Sequence, residues 1–210
     1  MPSAPQSIIW PSPERKIQIF LREKLEKWDW VIYRCTYEDG EAWSRFKQIV
    51  EERSHRDTLD GASKHRLHAR FREWAAHVID IENPHHENRH LGAIGIPRYE
   101  YFVMVDEGAL RSVVYDAPRL PDDDMDGEGY VNFVNTSWLP LDENPLAVEL
   151  STEERLNEEQ YEPIDDCREK NVGWMKMASS MLTSEFYDAM ADNCDVWYCF
   201  YRRPPITVNG

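Results

Sequence analysis

Glycine is scarce, with 9 residues in 210, and no glycine-rich turn joins a strand-like run to a helical one. A phosphate loop or dinucleotide cradle, which needs backbone amides left bare by glycine, is not encoded. Basic charge is also short: 24 Lys and Arg stand against 39 Asp and Glu, for a formal net charge of -15. A field of that sign repels phosphate backbones and anionic lipid surfaces, so neither nucleic acid nor a membrane is an expected partner. No run approaches the roughly 18 apolar residues of a spanning helix. The stretch Met1 to Trp10 lacks the basic and apolar regions of a signal peptide. Cys35, Cys167, Cys194 and Cys199 lack Cys-x-x-Cys spacing, and no Ser or Cys sits in a nucleophile elbow. Reduced, structural thiols in a cytoplasmic protein follow from this pattern.

Apolar material is plentiful: 41% of the chain is hydrophobic and 12% aromatic, including 8 Trp and 10 Tyr, so the chain has enough to bury a full core. An N-terminal arm and helix are expected over 1–27, where Ser12-Pro13-Glu14 supplies a start signal and Ile17, Phe20, Leu21 and Leu25 recur at helical spacing. A single α+β domain is expected over 28–210, with an acidic excursion at about 118–168. Strand-like runs lie at Trp30 to Tyr37, Tyr99 to Val105, Tyr130 to Thr136 and Val196 to Arg203. Helical periods run through Trp43 to Val50, through Leu67 to Val78 and through Met175, Ala178, Leu182, Phe186 and Met190. Asp106 is the expected cap of a further short helix. This order predicts a ferredoxin-like, split β-α-β fold: a four-stranded antiparallel sheet with helical insertions.

Four strings carry a resemblance: Trp28-Asp29-Trp30-Val31-Ile32-Tyr33-Arg34-Cys35-Thr36-Tyr37, Leu59-Asp60-Gly61-Ala62, Phe71-Arg72-Glu73-Trp74 and Gly173-Trp174-Met175-Lys176-Met177. In these the chain resembles a family of largely uncharacterised small α+β proteins of filamentous ascomycete fungi. The resemblance implies a fungal origin and a shared fold, and it carries no catalytic residue.

Two ligand-rich stretches invite a metal. His77, His85, His86 and His90 lie among Asp80, Glu82 and Glu87, but His85 to His90 runs through Asn and Pro, with no helical face to fix ligands. Asp122-Asp123-Asp124-Met125-Asp126-Gly127 starts like a calcium loop, yet Phe133 stands where the bidentate Glu belongs. No metal and no other cofactor is expected.

The sheet remains as the place for a site. Alternation puts Trp30, Ile32, Arg34 and Thr36 on one side of the first strand. A guanidinium there needs an acceptor, either an acid such as Glu100 or a ligand carboxylate or carbonyl. Arg34 and Asn132 are the candidate catalytic residues, and Tyr99, Tyr101, Tyr130, Trp174, Tyr198 and Arg202 the candidate substrate-binding set. Together they suggest a largely apolar pocket with a few placed polar groups. The expected function is binding or cofactor-free conversion of a small apolar metabolite in fungal specialised metabolism, as in a cyclase or isomerase of Diels-Alder type, by a monomer or homodimer. The alternative is a non-catalytic module whose acidic excursion and aromatics meet a protein partner.

Overall fold

The computed structural model describes residues 30–51, 56–58, 64–85, 90, 93–117, 129–145, 147, 151–153, 155, 160–192 and 195–209. The N-terminal helix and the Asp122 to Asp126 cluster lie outside these residues. The chain forms strand β1 (Val31–Arg34), helix α1 (Gly40–Glu51), strand β2 (Arg56–Thr58) and the long helix α2 (Lys64–Glu82). A single turn α3 (Pro97–Glu100) then leads into β3 (Tyr101–Val105). Helix α4 (Glu107–Arg111) follows and widens into a π-helical turn over Ser112–Asp116. Strands β4 (Tyr130–Asn135) and β5 (Trp174–Ala178), helices α5 (Ser184–Asp192) and α6 (Val196–Phe200), and strand β6 (Thr207–Val208) complete the order.

The fold is α+β, but its sheet is mixed and six-stranded, in the order β2-β1-β3-β4-β5-β6. β1 runs parallel to β2 and β3, β3-β4-β5 is antiparallel, and β6 pairs parallel with β5. A four-stranded antiparallel ferredoxin-like sheet is therefore not what forms. Two misread segments account for most of the difference. Trp174 to Ala178 becomes a strand because positive-φ Gly173 starts an extended run there, while a 3-10 turn at Ser179–Met181 separates it from α5. Thr183 accepts from the Phe186 amide at 3.3 Å and starts the new helix. Conversely, the aromatic run at 196–200 coils into α6 rather than extending. One turn of helix drops Trp197 into the core at 1% exposure, where it stacks on Tyr101 at 5.9 Å, so tertiary packing overrides strand propensity.

Helices cover both faces of the sheet, which is why β3 reads Tyr-Phe-Val-Met-Val without alternation and is buried throughout. One face carries Ile32, Tyr101, Val103, Val105, Val131, Phe133, Met175 and Met177 in a core shared with α1, α4, α5 and α6. Phe133 is its hub, with Trp30 and Tyr101 at 5.2 Å, Phe186 at 5.4 Å and Trp197 at 6.1 Å. The other face carries Tyr33, Phe102, Met104, Val134 and Trp174 against Leu67, Phe71, Ala75 and Ile79 of α2. Asp106 caps α4 as expected, its Oδ1 accepting from the Ala109 amide at 2.8 Å.

Candidate functional site

The residues singled out from sequence do not converge. Arg34 lies at the end of β1, half-buried, with its guanidinium 4.3 Å from the Tyr37 ring centre and 5.0 Å from that of Trp43. Its Nε donates to the Thr36 carbonyl at 2.6 Å. Two rings and a carbonyl thus satisfy the cation locally. Glu100 is engaged elsewhere, accepting from the Gly95 amide at 2.6 Å, and burial raises its carboxyl pKa.

Asn132 is buried and pairs in register with Met104, whose side chain lies on the α2 side of the sheet, so alternation sets it on the face opposite Arg34. Its amide donates to Asp106 Oδ2 at 2.9 Å and to the Met104 carbonyl at 3.3 Å, which steadies the cap of α4. Tyr99 belongs to a buried network. Its hydroxyl donates to Glu82 Oε2 at 3.0 Å and accepts from Asn83 Nδ2 at 3.1 Å, while Arg98 grips both Glu82 oxygens at 2.9 and 2.7 Å. Burial pushes the Tyr99 phenol up to about 12. Tyr101 is core. Tyr130 lies under the Lys176 ammonium at 3.9 Å. Tyr198 is exposed on α6, and Arg202, also exposed, donates to the Tyr201 and Cys199 carbonyls.

Trp174 alone of that set lines the cleft of about 610 Å³ on the α2 face. The floor is Val134, Trp174, Val172 and Ile164, and one wall is the N-terminal half of α2, where Lys64, His68 and Arg72 recur every fourth residue. The opposite walls are the 138–143 loop and the turn Ile164 to Cys167. That turn is a two-residue hairpin: Ile164 and Cys167 exchange backbone hydrogen bonds at 2.9 Å, and Asp165 and Asp166 take φ values of 50 and 65 degrees. Positive φ at both central residues is the mirror-image turn that matches strand twist, and Asp tolerates it better than most side chains.

The hairpin is tied down at its base. Tyr201 accepts from the Val172 amide at 3.1 Å and donates to the Lys170 carbonyl at 3.0 Å, while Arg203 donates to the carbonyls of Glu162 and Cys167. Glu169 receives the Leu141 amide at 2.8 Å and closes the wall. Gly173, at φ 75 degrees, is required because a Cβ there would stand 2.4 Å from the Trp138 ring, another lining residue.

Held this way, Asp165 reaches Lys64, with Oδ2 3.3 Å from Nζ, and the same ammonium sits 3.9 Å from the Trp174 ring centre. The Trp174 indole N–H is buried, with no acceptor among the described residues. A half-buried cation over an apolar floor can polarise or anchor an oxygen of a bound molecule. Among the described residues, no three His, Cys, Asp or Glu side chains group as metal ligands, and no helix is long and apolar enough to cross a membrane. The basic stripe Lys64, His68, Arg72 in so acidic a chain, and Asp165-Asp166 as a turn pair, were the available sequence signals for this site.

Comparison of the chain with protein-family models, with curated proteins and with solved structures finds no match.

Proposed function

We propose that the chain binds a small, largely apolar metabolite in the Trp174 cleft and needs no cofactor to do so. The cleft itself carries this proposal: about 610 Å³ lies within the usual range of roughly 300–1,000 Å³ for small-molecule sites, and its floor is indole and aliphatic. As an enzyme it would be a cyclase or isomerase that folds a flexible substrate against the floor. Lys64 would then take the carbonyl-polarising role that the sequence suggested for Arg34, because Lys64 faces the cleft and Arg34 is satisfied by its neighbours. The resemblance to an ascomycete family supports a place in fungal specialised metabolism.

The test uses N-phenyl-1-naphthylamine, a neutral apolar probe that brightens on leaving water. Saturable brightening is expected with the native chain. Ala69 is exposed on α2 and lines the cleft, so Ala69→Trp fills it without disturbing the core. Brightening that persists unchanged in Ala69→Trp would sink the assignment.

A further inference from the structure

The polar groups lining the cleft divide by depth. Asp142, Glu143, Asp165 and Asp166 are exposed at its rim, as are Arg72 and Arg168, so the rim carries both signs in water and discriminates weakly. The deeper groups are different. Lys64 keeps 21% of its side-chain exposure, Trp174 8% of its residue exposure, and Glu169 is committed to the Leu141 amide. What the interior offers a guest besides the His68 ring is therefore a cation, the Lys64 ammonium set over the face of the Trp174 indole. Lys64 is also the first residue of α2, a helix of 19 residues with no acid in its first turn, so the positive end of the helix dipole adds to the same field.

The ion pair on Lys64 is lopsided. Its acidic half, Asp165, is 58% exposed while the ammonium is 21% exposed. Returning Asp165 to water costs little, because a solvated carboxylate needs no partner, whereas the ammonium over the indole stays partly desolvated and requires a counter-charge. Asp165 is thus an exchangeable occupant of an acceptor position.

We infer that the guest of this cleft is an apolar carboxylic acid whose carboxylate replaces Asp165 on Lys64, with its apolar body on the Val134 and Trp174 floor. This deepens the small-molecule assignment above and rests on it. The tight turn sets Asp165 close enough to neutralise Lys64 while leaving its carboxylate 58% exposed at the rim, where a guest carboxylate can displace it.

The experiment titrates the full chain by calorimetry with 1-naphthaleneacetate and with its neutral near-isostere 1-naphthaleneacetamide. The acid is expected to bind about tenfold tighter than the amide, the margin of a charge-assisted pair over a neutral one in a partly desolvated site. Lys64→Met should erase that preference and leave amide affinity within about twofold, whereas Asp165→Asn, which removes the competitor, should tighten the acid alone by a few-fold. Equal affinity for acid and amide, or a preference that survives Lys64→Met, overturns the carboxylate inference and leaves the cleft assignment standing. Absence of binding by either molecule, or binding untouched by Ala69→Trp, overturns the cleft assignment and this inference with it.

Discussion

The two faces of one sheet handle their polar and aromatic groups in opposite ways. On the α1/α5/α6 face, aromatic rings interlock around Phe133, and the Arg34 cation at its margin is satisfied by Tyr37, Trp43 and the Thr36 carbonyl. On the α2 face, helix packing covers Tyr33, Phe102 and Met104 but leaves Trp174 and Val134 under a cleft, with Lys64 held by an exposed acid and a ring. Aromatic content therefore says little about where a site lies. The discriminating property is whether the groups beside the rings border a cleft: the buried indole N–H groups of Trp197 and Trp174 both lack an acceptor among the described residues, but it is Trp174 that lines the cleft.

The largest effect belongs to the sealed face. Phe133 is fully buried, and truncating it to Ala removes the ring on which four other aromatics rest. Phe133→Ala should lower the unfolding free energy by about 3–5 kcal/mol in urea titrations. The loss should come with no specific change in probe affinity at temperatures where the variant remains folded. A loss of under about 1 kcal/mol would mean that this face is loosely packed and that the contrast between the faces is false.

A smaller effect, acting on function as well, is expected at Gly173. Alanine there meets both the positive φ and the Trp138 ring. Gly173→Ala should cost about 1–3 kcal/mol of stability and displace Trp138 from the cleft wall, weakening N-phenyl-1-naphthylamine binding in the same preparation. Stability lost with probe affinity intact would separate Trp138 from the site.

The sequence reveals what is local. β1, β3, β4, α1, α2 and the Asp106 cap follow from alternation, helical period and capping chemistry within a few residues of each position. β5 and α6 resist because Trp174 to Ala178 fits a helical stripe as well as a strand, and because Val196 to Phe200 coils only in answer to the Tyr101 and Phe133 rings it packs against. The cleft is hidden for a stronger reason. Its walls come from α2, the 138–143 loop and the 164–174 segment, and no spacing rule links Lys64 to Asp165 across a hundred residues of chain. Trp174 is among the binding residues expected from sequence, but its place in the cleft depends on which face of β5 it occupies.

Arg34 supplies the finest comparison, since alternation correctly assigns its face and still misleads about its use. Both ring partners lie within nine residues of it and its carbonyl partner within two, so the guanidinium is satisfied before any ligand arrives. Methionine can follow the same apolar path over Tyr37 and Trp43, keeping the packing of the stem while removing the charge. Arg34→Met should therefore cost less than about 1 kcal/mol of stability, the cation-ring attraction at a half-exposed site being partly replaced by sulfur-ring contact. Probe affinity should stay within about twofold of the native value, because no atom of Arg34 lines the cleft and the sheet lies between them. Paired urea and probe titrations decide the matter: a tenfold drop in affinity at unchanged stability would return the site to the Arg34 face and dissolve the distinction between a sealed face and an open one.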